Sequence, residues 1–433
     1  MTTRIRLALS LLLIGMSFSC GPGQDPGDSG YLTSGLDRVP GNAQSPETLE
    51  QVARNNEFAL DMYAQVATGM DTNLFFSPLS ISFAMGMVHG GMRGDILPEL
   101  EAVFGFPATG PHAALNAIEQ QVEGTSDATT TVRFENGLFI DPDLHPTRGY
   151  LDLLAQYYGL GFHVVPIVAD PSGAADVINA WVREVTDGLI EEMILPYNLT
   201  DAEFVLLNTL LFKAVWKVEF DPEATWERSF TLTDGTLVRL ETMTAVPDTW
   251  FRGIETDEMK VVAIPYQRSL LEFVAFMPTT GPLTSLEQQL TPAWLQGVLG
   301  SLTAGDHRCP DSLALPKFEV TTRREDLFDV LALMGVESLV TEAYDYFGLV
   351  SARSLPTRIL RIIQESKIKV NEGGTEAASA TAVIGGGADG GVIGDDAGPV
   401  CTPRHFILDR PFFYLIRETT TGSILFMGKF VGR

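Results

Sequence analysis

Between Ile368 and Ile384 the chain reads IKVNEGGTEAASATAVI, with Thr375, Ala377, Ser379 and Thr381 at every second position. In an extended backbone these four share one face. Their chemistry is neither nucleophilic nor acid–base; it is strand addition, because only small side chains pass into a gap between two packed strands. Ala377, Ala378, Ser379 and Ala380 lower the steric barrier, and Thr381 has good strand propensity once inside. Thr375 would enter first, and a charged residue there would oppose entry by its desolvation cost. Glu376 points to the opposite face, where water can remain. Gly374 permits a sharp change of direction where strand becomes loop.

Other candidates for chemistry fall away. Gly27-Asp28-Ser29-Gly30 spells the nucleophile tetrapeptide of trypsin-like proteases. A nucleophilic serine needs a base held in a folded site, and this one lies in a segment rich in Gly, Pro, Ser and Asp, so the match is a coincidence. The six histidines (His89, His112, His145, His163, His307, His405) form no nucleophile–base pattern. No CxxC or His-x-x-x-His spacing occurs, so neither a metal nor another cofactor is expected. Cys309 and Cys401 could pair in an oxidising compartment, and the sequence leaves that open.

The elements that must position the 370–384 strand alternate between helical and strand patterns. Apolar residues at helical spacing predict a helix over Glu47–Thr68, and Ser77-Pro78 marks the start of another. Ile81–His89 is apolar nearly all round, which predicts a helix buried in the middle of the protein, where Ser80 and Ser82 need partners. Val132–Ile140 reads as a strand and Ala174–Glu192 as a helix. Phe204–Val215 is an apolar run without alternation, as in a strand covered on both faces. Shorter strands are expected at Phe230–Leu232, Val238–Met243, Val261–Pro265 and Leu271–Met277. Ser285–Leu302 and Arg324–Met334 read as helices, and Phe412–Ile416 with Ile424–Val431 as a closing hairpin. The irregular alternation argues for an α+β domain rather than a doubly wound sheet.

The chain has 433 residues, 45% of them hydrophobic, and a net charge of −26. That charge excludes nucleic acid and a basic membrane-docking face. Residues 1–20 read as a targeting segment: Arg4 and Arg6 precede the apolar Ile5–Phe18, and Ser17-Phe18-Ser19-Cys20 resembles a bacterial lipoprotein cleavage site with Cys20 as the lipidated residue. The product would be exported, and either anchored by Cys20 alone at the cell surface or in the periplasm, or secreted. Residues 21–46 are expected to form a disordered tether, and residues 47–433 a folded domain.

Several stretches together resemble the serpins. They are Asn73-Leu74-Phe75-Phe76-Ser77-Pro78-Leu79-Ser80, Asn179-Ala180-Trp181-Val182, Asn208-Thr209-Leu210-Leu211-Phe212-Lys213-Ala214-Val215-Trp216, Leu315-Pro316-Lys317-Phe318, Leu425-Phe426-Met427-Gly428-Lys429 and the hinge Asn371–Thr381. The resemblance spans residues 45–433. It implies an α+β serpin fold of about nine helices and three β-sheets, with an exposed reactive loop over about 373–404 and a hinge at Glu372–Thr381. It also implies that the protein is no enzyme but a monomeric suicide substrate of serine, perhaps cysteine, endopeptidases: the protease acylates itself on the loop, and the freed strand inserts into the large sheet. By the same resemblance Ser77, Ser80, Asn208 and Gln364 control sheet opening, and Trp216 marks the top of the sheet. Two departures stand out. Gly373 replaces a usual charged residue, and Gln364 stands where a histidine is common; a glutamine can both donate and accept there.

Counting from the hinge places the scissile bond at Ala388–Asp389; counting back from Pro411 gives Val400–Cys401. The two disagree because the loop is longer than usual by about a dozen residues, a thermodynamically cheap insertion. The hinge count is preferred, since the distance from Gly374 is what insertion constrains. Ala388, Ile393 and Val400 are small or aliphatic, which points to an elastase-like or subtilisin-like target. Arg404, the basic residue of the region, is expected to lie too near the following strand to be presented. The competing reading is a non-inhibitory serpin-fold binding protein.

Overall fold

The computed structural model describes residues 30–200, 202–245, 250–304, 311–324, 327–341, 348–350, 362–376 and 402–433. Among these residues three sheets are found. The large sheet runs in the order β1 (Tyr31–Leu32), β4 (Phe162–Val164), β3 (Thr130–Ile140), β5 (Phe204–Val215), β15 (Gly374–Glu376), β14 (Ile362–Val370) and β13 (Phe318–Arg324). The second holds β11 (Thr303–Ala304), β8 (Arg252–Glu255), β9 (Met259–Pro265), β10 (Leu271–Pro278), β17 (Phe412–Glu418), β18 (Ile424–Phe430) and β2 (Leu74–Phe76). The third holds β16 (His405–Ile407), β12 (Ser312–Pro316), β7 (Leu237–Ala245) and β6 (Trp226–Thr231).

Ten α-helices surround the sheets among the described residues: α1 (Pro46–Ala67), α2 (Pro78–Gly91), α3 (Ile96–Phe104), α4 (His112–Glu123), α5 (Arg148–Tyr158), α6 (Pro171–Val185), α7 (Thr284–Glu287), α8 (Pro292–Ser301), α9 (Phe328–Met334) and α10 (Ser338–Thr341). α2 is the buried central helix that its apolar circumference predicts, capped by the Ser77 side chain, which accepts from the Ser80 N–H. β5 is covered on both faces. Leu206, Leu210, Phe212 and Ala214 join the main core, while Val205 and Leu207 join a second cluster with Ile178 and Val182 of α6. Gly137 of β3 lets α6 dock: a methyl group there would stand 2.8 Å from the Trp181 ring.

Three expected helices differ in extent. The helix expected to reach Glu192 stops at Val185, because Asp187 and Gly188 take left-handed backbone angles (φ 52° and 78°). Ser285–Leu302 is two helices, since Pro292 starts α8 afresh with Thr291 as its cap. In the Arg324–Met334 stretch, Arg324 ends β13 and the helix begins only at Phe328.

The expected tether is corrected over its described part. Residues 30–45 are an ordered arm along the edge of the large sheet, across α5 and α4. Tyr31 and Leu32 pair with His163 and Phe162 of β4. Arg38 donates to Asn116 Oδ1 (2.8 Å) and to Glu119, while the Asn116 and Gln120 side chains both donate to the Val39 carbonyl (2.9 Å each). Composition favours disorder, but α4 holds the Arg38 side chain, the Val39 carbonyl and the Gly41 N–H of the arm. No described helix is long and apolar enough to cross a membrane.

Candidate functional site

The large sheet is forked, and the hinge is lodged in the fork. After β14 the chain reverses at Asn371, whose Oδ1 accepts from the N–H groups of Gly373 (3.0 Å) and Gly374 (3.2 Å). The returning β15 lies between two strands that are parallel to each other. Gly374 pairs with Val215 and Thr375 with Ala214 on β5, while Val370 pairs with Thr375 on the β14 side. Farther along the sheet no strand intervenes, and Ile362 and Ile363 pair directly with Leu206 and Leu207.

Gly374 carries a different burden from the one expected of it. It lies outside the left-handed region, and its role is close approach: a Cβ there would stand 2.1 Å from the Ala214 carbonyl oxygen. Thr375 is already inside the sheet, at 1% exposure. Its hydroxyl shares a 2.6 Å hydrogen bond with that of Tyr266, a fully buried phenol whose burial pushes its pKa far up, so the phenol stays neutral. Trp216 stacks on Tyr266 with centroids 4.6 Å apart, donates from Nε1 to the Asn371 carbonyl (2.9 Å) and from its backbone N–H to the Gly373 carbonyl (2.9 Å). One tryptophan thus holds both limbs of the hinge turn.

Glu372 fastens the same turn from outside. Its carboxylate accepts from Thr225 Oγ1 (2.9 Å) and pairs with Lys317 Nζ (3.2 Å), which also faces Glu241 (3.5 Å). Burial works to raise the Glu372 pKa, but the hydrogen bonds from its own backbone, Thr225 and Lys317 outweigh it and hold the carboxyl below its ordinary value. Sequence reasoning assigned no role to Tyr266, Lys317 or Thr225. Lys317 was visible only as part of a motif, and nothing local marks Tyr266 as a neighbour of the hinge.

The residues expected to control sheet opening are not one network. Ser77 Oγ bonds to Ser80 Oγ (2.9 Å) and donates to the Leu425 carbonyl (2.8 Å), while Gln364 Nε2 donates to the Ser77 carbonyl (2.9 Å). Asn208 stands apart. It faces Asn136 on β3, to which its amide donates, and its Oδ1 is buried without a partner. The expected link between Gln364 and Asn208 is therefore replaced by two half-networks: Asn136–Asn208 on β3 and β5, and Gln364–Ser77 on β14 and α2. Asn136 was not a candidate from sequence. Asn208 and Gln364 each follow the last directly paired residue of β5 and β14, so they mark the crotch of the fork.

The far end of the loop is clasped as well. Arg404 donates to both Asp311 oxygens (Nε at 3.1 and 3.0 Å), and to the Gly253 carbonyl (2.8 Å). Its guanidinium is thus engaged by Asp311 and by Gly253 of β8, with 28% of the side chain exposed. Ala377–Thr381, Ala388, Asp389, Val400, Cys401, Cys309 and Cys20 lie outside the described residues, as does the Glu376 side chain. Among the described residues no cluster of three or more His, Cys, Asp or Glu forms a metal site.

The profile of the family described as Serpin (serine protease inhibitor) matches residues 53–432. Iripin-3 of Ixodes ricinus is 30% identical over 381 residues, covering 87% of this chain and 93% of its own. The leukocyte elastase inhibitor of Bos taurus is 29% identical, covering 88% and 96%. A solved structure of thyroxine-binding globulin in complex with thyroxine superposes with a TM-score of 0.73 at 24% identity, covering 88% of this chain and 99% of that one.

Proposed function

This chain belongs to the serpin family, whose members are generally protease inhibitors rather than enzymes, and we propose that it inhibits serine endopeptidases as a suicide substrate. The observation that carries this reading is the fork: a buried Thr375 already seated between β5 and β14, with the sheet closed only beyond it. A strand that has begun to insert needs only a cut loop to continue. The protease's nucleophile attacks the carbonyl carbon of Ala388. The Ala388–Asp389 bond breaks, the new amine of Asp389 takes the proton, and an acyl bond to the protease remains. Insertion of residues 376 onward then drags the protease along before water can hydrolyse that bond.

Small and aliphatic residues around the cut (Ala388, with Val400–Cys401 as the alternative) favour an elastase-like or subtilisin-like target, in line with the likeness to a leukocyte elastase inhibitor. The protein acts as a monomer, and its contact with a membrane is through a lipid on Cys20. The second reading, a binding protein whose loop is cut or bound without trapping, draws on the likeness to a globulin that binds thyroxine and on Gly373 in the hinge.

Mixing the protein with pancreatic elastase, subtilisin and trypsin, followed by denaturing gels, separates the two. The expected result is a covalent band at the summed mass with elastase or subtilisin, and with trypsin neither a band nor a cut within the loop, since residues 370–403 hold no Lys or Arg. If elastase and subtilisin both cut the loop and stay active, the inhibitor reading is lost.

A further inference from the structure

The arm over residues 30–45 lies ahead of the family match, which begins at residue 53, and it is laid on the body as a ligand would be. None of its residues belongs to either hydrophobic cluster, and Tyr31, Leu32 and Leu36 stay 40–42% exposed. What holds it is polar and directed largely at its backbone. The Gly30 carbonyl accepts from the Val164 N–H of β4 (2.5 Å), the Ser34 carbonyl accepts from Arg148 of α5 (3.0 Å), and the Gly41 N–H donates to Gln120 (3.0 Å). Val39 is gripped from two sides. Its N–H donates to the Gln156 carbonyl of α5 (2.8 Å), and its carbonyl accepts from Asn116 and Gln120 of α4.

The fit is close at two glycines. A Cβ at Gly161, just before β4, would collide with the Leu32 carbonyl, and one at Gly41 would stand 2.5 Å from the Ala117 Cα. Arg38 is the side chain read in depth. Its Nε donates to Asn116 Oδ1 (2.8 Å), and its fork reaches Glu119, whose side chain is 3% exposed. A guanidinium meets such a carboxyl with direction as well as charge. Burial raises the Glu119 carboxyl to about 8 against the pull of Arg38. Once the guanidinium leaves, the acid is protonated at neutral pH and strands no buried charge. The pocket can therefore stand empty.

We infer that the face made by β4, α5 and α4 is a recognition site for an extended peptide carrying an arginine, and that residues 30–41 are its resident ligand. Glu119 and Asn116 set the preference for arginine. Gln120, Gln156 and the β4 edge read only backbone, as in other sites that take an extended strand. The arm, being covalently joined, competes at an effective concentration on the order of millimolar. An outside peptide thus gains entry only where the arm is lifted.

Gly41→Leu in the full chain drives a side chain into the α4 backbone and should lift the arm without touching the matched body. Release is read by hydrogen exchange: the amides of residues 30–41 should exchange at least about tenfold faster than in wild type. Arg38→Ala in the full chain, which empties the pocket instead, is the second route to the same state. A fluorescent peptide of residues 30–44 should then bind either variant saturably and the wild-type chain at least about tenfold more weakly. Arg38→Lys in the peptide should weaken binding severalfold, and Arg38→Ala more. Unchanged exchange in both variants would mean that these contacts do not hold the arm, and the inference falls. It falls equally if a chain with a lifted arm ignores the peptide, if wild type binds it as well, or if the Arg38→Ala peptide binds undiminished.

Discussion

Thr375 has apolar neighbours on both sides and a phenol beneath it, so its environment tolerates a small hydroxyl and little else. An arginine there would place a guanidinium between Ala214 and Val370, both buried, and desolvating it would cost several kcal/mol. On the proposed mechanism, Thr375→Arg is expected to withdraw the seat and leave a substrate in place of an inhibitor: on a gel, cleaved protein accumulates while the covalent band fades at least severalfold. An undiminished band would mean that insertion does not begin here. The size rule behind this expectation was legible in the alternation of the hinge residues. Its partners were not. Tyr266 and Asn136 meet the hinge system from 109 and 72 residues away in sequence (Tyr266 to Thr375, Asn136 to Asn208), and neither carries a local mark of that meeting.

At the scale of elements, strands and buried helices were read well because their patterns are intrinsic. β5 runs over the stretch Phe204–Val215 that its apolar run predicts, and α2 is as enclosed as its composition demands. The arm over residues 30–45 was not, because its order comes from contacts with β4, α5 and α4 rather than from its own residues. Arg38 is its anchor. Burial raises the Glu119 carboxyl to about 8 even with the Arg38 guanidinium pulling it down. Arg38→Met removes that countercharge from a carboxylate whose side chain is 3% exposed, while Arg38 itself is 27% exposed. The partial exposure discounts the loss to about 1–3 kcal/mol. A raised carboxyl contributes stability that is present at low pH and lost as pH rises, so the deficit of Arg38→Met should be larger at pH 9 than at pH 6. Denaturant midpoints at the two pH values check this; a deficit independent of pH would assign the loss to packing alone.

The whole molecule carries an acid sensitivity that belongs to no single sheet. His112 opens α4 and bonds through Nδ1 to the Tyr158 hydroxyl (2.9 Å), while the His89 ring of α2 lies 5.9 Å away. Glu101 of α3 faces His89 at 3.6 Å, Arg93 adds positive charge nearby, and Tyr157 flanks His112. Burial first, and His89 second, lower His112 from 6.5 to about 4. The folded state thus resists a proton that the unfolded chain accepts. Stability is intact above pH 6.5 and falls between 6.5 and 4, by on the order of 3 kcal/mol in full. Comparing wild type with His112→Gln at pH 7 and pH 4.5 isolates this from the carboxyls, and the variant should lose less stability on acidification. Parallel losses would remove His112 from the account.

The ordered arm also shortens a leash. Were residues 21–46 all free, a lipid on Cys20 would let the body roam out to roughly 90 Å, at about 3.5 Å per extended residue. With the chain pinned from Tyr31 onward against β4, the proposed anchor on Cys20 would stand at most ten residues from that point, a reach of no more than about 35 Å. A protein moored that closely, by the rim of its large sheet, would meet proteases at the bilayer surface rather than sweep the space above it.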